Sequence, residues 1–174
     1  HRQPDCVGRT YVVWCHHNDS TASYTLWPAA QQVDDAVDGQ GNFLWSKIFW
    51  LSTTASDHFG SMAITHDKGI IVCGRTDSVN VPFISWDGLI FKSDSLGNFL
   101  WGKRFSSPSQ NFVFEDLVIT NDSGCAVIGR TLQHRIIVKL DSSGNTLWMK
   151  FYESGIDGDG YSIDKSSDGA LIGT

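Results

Sequence analysis

DSLGNFLWGKRF (94–105) lies over DSSGNTLWMKFY (141–152) without a gap, and DGQGNFLWSKIF (38–49) is a third copy. The shared pattern is Asp-x-x-Gly-Asn, two residues, Trp, one residue, Lys. Its tryptophans are Trp45, Trp101 and Trp148, spaced by 56 and 47 residues. A second block recurs between these copies. THDKGIIVCGRT (65–76) matches TNDSGCAVIGRT (120–131), KSSDGALIGT (165–174) is a copy one residue shorter, and CVGRT (6–10) is the remnant of a fourth. Self-similarity at a fixed long period is the mark of a repeat architecture.

Each unit reads as four short strands, a to d from the hub outward. Strand a ends in a turn such as Asn121-Asp122-Ser123-Gly124. Strand b is the apolar run that ends in Gly-Arg-Thr. Strand c is LIFKSD (89–94) or IIVKLD (136–141). A tight Asp-x-x-Gly-Asn turn follows, with Gly and Asn available for positive φ. Strand d is TLWMKFY (146–152). β-Branched and aromatic residues dominate, and no segment keeps a 3.6-residue period over helical length.

Four-stranded units repeating every 45–65 residues predict an all-β chain of β-propeller-type blades rather than a helical solenoid. The blade-equivalents are roughly 1–50, 57–105, 113–152 and a partial 160–174, in a single repeat domain with a long b–c insertion at 11–29. The pattern resembles a repeat widespread in secreted and cell-surface β-propeller proteins, most of them without an assigned activity. The resemblance covers 31–174 well and 1–30 only through CVGRT. It implies a fold and an extracellular or cell-surface setting, and is nearly silent on activity.

The repeated residues have plain packing roles. A Trp at one place in every blade packs between blades. Gly74, Gly129 and Gly173 suit close backbone approach. Lys47, Lys92, Lys103, Lys139 and Lys150 read as solvent or edge lysines that discourage wrong pairing. Arg9, Arg75 and Arg130 read as partners for charges on neighbouring blades.

The chain holds 174 residues with formal charge −6, 13 Lys+Arg against 19 Asp+Glu. That weighs against a nucleic-acid binder, which needs a basic face. Charged residues are only 18% and aromatics number 21 (10 Phe, 7 Trp, 4 Tyr), the reverse of a disordered chain. No apolar run approaches the ~20 residues of a membrane span. Residue 1 is His, so a processed chain or a segment of something longer is expected. Cys6 and Cys15 bracket a short segment and form the candidate disulfide, whereas Cys73 and Cys125 read as buried thiols. Asn18 and Asn121 head N-x-Ser sequons.

About thirteen strands follow from this reading: b-c-d, a-b-c-d twice, then a-b. Three and a bit blades do not readily close a ring, since propellers use four to eight. The initial group lacks its a strand, and the final pair lacks its c and d. Either the chain is a piece of a longer propeller, or copies assemble head to tail into a ring or filament by completing blades between chains.

The non-repeated aromatics Trp14, Tyr24, Trp27, Trp50 and Trp86 fall on the b–c and d–a loops, one face of the molecule. They form a candidate carbohydrate site, by ring stacking and hydroxyl hydrogen bonds. The duller account has the first loop cover an open blade edge. No metal or other cofactor is expected. His16-His17 are adjacent on a strand and point apart. Asp157-Gly158-Asp159-Gly160 lacks the ligand set of a calcium loop and reads as a Gly-rich turn, with a generic calcium site at Asp157 and Asp159 the weak alternative. No nucleophile elbow, phosphate loop or catalytic carboxylate pair stands out. The first functional expectation is a non-catalytic structural or adhesive subunit that self-assembles. The second is a lectin-like module, and the third a fragment of a propeller enzyme.

Overall fold

The computed structural model describes residues 32–37, 39–49, 57–77, 85–153 and 160–174. All twelve elements among them are β-strands, and the chain divides into two compact units, His1–Asp57 and His58–Thr174. In the first unit β1 (Gln32–Val37) pairs antiparallel with β2 (Phe43–Phe49). The rest forms three sheets: β3 (Asp57–Ile64), β4 (Ile70–Asp77), β5 (Trp86–Ser93) and β6 (Phe99–Phe105); β7 (Val113–Ile119), β8 (Cys125–Arg130), β9 (His134–Leu140) and β10 (Thr146–Glu153); and β11 (Ile163–Lys165) with β12 (Leu171–Gly173). Strand order in the four-stranded sheets follows chain order, and the pairs registered are antiparallel. These are two full propeller-type blades. β1–β2 corresponds to a c–d pair and β11–β12 to an a–b pair. The expected b strand at 6–10 lies outside the described residues.

The repeated Asp builds the c–d turn. Asp94 Oδ1 accepts from the backbone amides of Leu96 and Asn98, and its Oδ2 accepts from Asn98 Nδ2, all at 2.8 Å. Asp141 does the same with Ser143 and Asn145. Backbone bonds Asp141 N–Asn145 O and Gly144 N–Asp141 O close the loop, and Gly144 sits at φ +84°, where a Cβ is disfavoured. The motif is therefore a self-satisfied turn that fixes hairpin register.

Strands b and c are covered on both faces, which explains their continuous apolar runs. β8 is buried from Cys125 to Gly129, and β5 from Asp87 to Ser93. Strand d is the exposed one, with β10 half-buried only at Trp148. The main core lies between the two full blades. Ile71, Cys73 and Ile90 of the first pack with Phe112, Phe114, Val127, Ile136 and Val138 of the second, with Trp101 and Phe105 against them. Burying each aliphatic side chain of this kind contributes about 1.5–3 kcal/mol. A second cluster joins Ala126, Ile128 and Ile137 to Ile163 of β11, with Trp148 and Leu171 packed on it.

Gly74 and Gly129 do lie against backbone: a Cβ would stand 2.1 Å from His58 O and 2.0 Å from Val113 O. Gly173 differs. Its Cβ would meet the side chain of Ile128, so it does not share their role. The turn bonds give the reason. Thr65 N–Gly69 O, Thr120 N–Gly124 O and Ser166 N–Ala170 O are equivalent, which puts Gly173 two residues short of the Gly129 level.

Candidate functional site

The lysines of strand c are not edge residues. Lys92 is 5% exposed and Lys139 8%. The ammonium of Lys92 lies 2.6 Å from Asp67 Oδ2, and that of Lys139 lies 2.8 and 3.0 Å from the two oxygens of Asp122. Each Asp sits in the a–b turn of the same blade and also accepts from a threonine hydroxyl, Thr65 or Thr120. These bonds hold the Asp67 carboxyl at about 2 and the Asp122 carboxyl well below the usual carboxylate range. The glycine of Thr-x-Asp-x-Gly lies against a strand-c carbonyl and beneath the lysine of the clasp. The lysine crosses over it, and a Cβ on Gly124 would stand 2.7 Å from Lys139 Nζ and 2.1 Å from Leu140 O. On Gly69 it would stand 3.1 Å from Lys92 Cε and 2.5 Å from Ser93 O. The signal is present in the sequence as Lys-x-Asp recurring downstream of Thr-x-Asp-x-Gly. A lone lysine in a strand reads as solvent-facing until both ends are seen to repeat.

The β11–β12 turn keeps half of the device. Ser166 Oγ donates to Asp168, Gly169 takes the positive-φ place, and the Asp168 carboxyl is again lowered, chiefly by Ser166. Two features differ. Ala170 stands where the other turns have Gly69 and Gly124. Among the described residues β12 pairs with β11 alone, and Ile172 is 60% exposed. In the first unit the cross-strand pair Ala36–Trp45 holds the register of Lys92–Trp101 and Lys139–Trp148. Ala36 thus occupies the lysine position of strand c.

The aligned tryptophans report on the neighbouring blade. The ring of Trp101 lies over the c–d turn of the next blade, where a Cβ on Gly144 would meet it at 2.8 Å. Trp148 instead has Lys150 Nζ 5.5 Å from its ring centroid and lines a cleft of about 290 Å³ with Thr120, Asn121, Asp122, Lys139, Lys165, Gly169 and Leu171. The turn glycine of the β1–β2 hairpin, Gly41, has φ +87° and, among the described residues, open space where its Cβ would point.

Of the candidate sugar-binding aromatics, only Trp86 falls among the described residues; Trp14, Tyr24, Trp27 and Trp50 lie outside them. Trp86 opens β5 with the Arg75 guanidinium 4.2 Å from its ring centroid, so one ring face is already occupied. Nearby, Arg104 Nε donates to buried Asp87 at 2.6 Å. Two arginine contacts lie within a blade: the Arg75 guanidinium on Trp86, and Arg130 with Glu115 of the adjoining strand at 3.5 Å; Arg9 lies outside the described residues. Asn121 is exposed and its Oδ1 accepts from Lys165 Nζ at 3.1 Å. Asn18, Cys6, Cys15, Asp157 and Asp159 lie outside the described residues. Cys73 and Cys125 are buried free thiols, and burial pushes Cys125 up to about 12. Among the described residues no His, Cys, Asp or Glu cluster is placed to hold a metal, and no helix is long and apolar enough to cross a membrane.

No family model and no curated protein matches the chain. Among solved structures, a protein of unknown function from Bacteroides caccae is similar, with a TM-score of 0.49 and 13% identity over 84% of this chain and 51% of that one. The chain spans about half of that protein's length.

Proposed function

We propose that the protein is a non-catalytic structural subunit that associates with copies of itself by completing blades between chains. What supports the reading is the presence of two two-stranded sheets, β1–β2 and β11–β12, beside the two four-stranded ones. A strand edge presents a row of free amide and carbonyl groups and is a template for strand addition. β11–β12 is an a–b pair and β1–β2 a c–d pair of the kind joined in β3–β6 and β7–β10; with a further b strand expected at 6–10, completion between chains displaces or doubles one of the two b strands. Such a contact joins different surfaces on the two copies and is heterologous, so it propagates as a ring or filament. An extracellular, adhesive setting accords with the repeat's resemblance to secreted propellers.

Sedimentation velocity over a hundredfold range of loading concentration tests this. Association that grows with concentration, in steps of the 19.2 kDa unit, is expected. A single 19.2 kDa species at every concentration overturns the proposal.

A further inference from the structure

We propose that the cleft between the two full blades, where their Gly-Arg strands end, is a binding site for a small carboxylate ligand, with Arg75 as its main contact and Arg130 beside it. The inference does not depend on self-association and adds a ligand-binding activity to that reading.

The cleft is lined by His58 and Gly60 of β3, Arg75 of β4, Glu115 of β7 and Arg130 of β8. Its volume is about 190 Å³, more than ten times the roughly 10–15 Å³ that one water needs. Its place follows from the repeat. Gly74 and Gly129 let strand b lie against His58 O and Val113 O of strand a, and the arginine is the next residue in each blade. Gly60 lets the a strands of the two blades meet, since a Cβ there would stand 2.6 Å from the carbonyl oxygens of Phe114 and Glu115. Two arginines from different blades therefore line one cleft.

Arg75 supplies the chemistry. Its guanidinium carbon lies 4.2 Å from the Trp86 ring centroid, which takes one face of the guanidinium and leaves the N–H groups around its edge. Those donors have no hydrogen-bond or ion-pair acceptor among the described residues. The buried carboxylate of Asp87, on the adjoining strand, is bound by Arg104 Nε at 2.6 Å. A guanidinium held by stacking presents a fixed fork, and that fork matches the two oxygens of a carboxylate. Arg130 already faces a carboxylate in this cleft: its Nε lies 3.5 Å from Glu115 Oε1, an ion pair longer than a hydrogen bond. Two guanidiniums against one glutamate leave a surplus of positive charge that suits a monoanion better than a phosphate dianion.

Isothermal titration calorimetry of the full chain at low ionic strength is the test, since salt screens such a site. Glucuronate and N-acetylglycine are the carboxylate probes, and glucose and inorganic phosphate the controls. At least one carboxylate binds at one site per chain with a Kd of about 1 mM or tighter, phosphate binds about tenfold more weakly, and glucose does not bind. The tighter of the two carboxylates tells whether the ligand is a sugar acid or an amino-acid derivative. Arg75→Gln weakens binding about tenfold or more, because the charged fork is lost. Glu115→Gln removes the competing carboxylate, keeps both guanidiniums and tightens binding about threefold. It keeps the test alive if far-UV circular dichroism shows that Arg75→Gln does not fold. The proposal is overturned if neither carboxylate binds saturably, if phosphate or glucose binds as well, if folded Arg75→Gln binds like wild type, or if Glu115→Gln brings no tightening. None of these outcomes bears on self-association.

Discussion

Cutting the Lys139–Asp122 clasp from its two ends should have unequal effects. Asp122→Ala removes two hydrogen-bond acceptors at 2.8 and 3.0 Å and leaves a largely buried ammonium with Leu140 O at 2.9 Å as its remaining partner. Hydrogen bonds to charged groups contribute about 1.5–3 kcal/mol each. The Asp122 side chain is 53% exposed, so screening puts the expected loss near the low end, about 2 kcal/mol. Lys139→Met keeps the stem packed, removes the charge that must be desolvated, and lets Asp122 return to water, at about 1 kcal/mol or less. The double variant should cost less than Asp122→Ala alone, because it removes the stranded ammonium. Urea unfolding followed by tryptophan fluorescence, extrapolated to zero denaturant, gives all three values. If Lys139→Met costs as much as Asp122→Ala, or the two losses simply add, the lysine is not held by the clasp and the argument fails.

The matching clasp in the preceding blade sets an acid limit. Asp67 has a folded pKa of about 2 against 3.8 for the free side chain, so the unfolded chain binds the proton more readily; its contribution is complete above about pH 4 and lost as pH falls toward 2. Stability measured at about pH 5, 3.5 and 2.5 should fall more steeply in wild type than in Lys92→Met, and parallel curves would contradict this. Gly144→Ala should destabilise by more than Gly41→Ala. Both meet the left-handed backbone penalty of about 1–2 kcal/mol, but only Gly144 has the Trp101 ring at 2.8 Å, which adds about 1–3 kcal/mol of overpacking. Equal losses in urea unfolding would mean that the ring does not rest on the turn.

The fold is legible because the chain states it several times over. Asp-x-x-Gly-Asn marks the c–d turns by a mechanism contained in five residues, and Gly-Arg-Thr ends strand b in both full blades. Long-range pairing is harder to read. The burial of Lys92 and Lys139 depends on an aspartate 25 or 17 residues upstream and across strand b, and no local pattern separates such a lysine from an edge lysine. Two arginine contacts are hard to read for a similar reason: Trp86 beside Arg75 and Glu115 beside Arg130 lie one strand away and are absent from the repeated motif. Local turn chemistry also shows what alignment by identity obscures. Placing Gly173 over Gly129 matches the letters, whereas the turn hydrogen bonds align Ala170 with Gly124 and set Gly173 two residues out of step.

The clasp has an evolutionary side. Its acid and its base both come from one blade and span strand b, so a whole blade can be duplicated or deleted in the gene without separating the pair in the remaining copies. The contacts that constrain such rearrangement are the apolar core between blades and the tryptophan that rests on the next unit's turn.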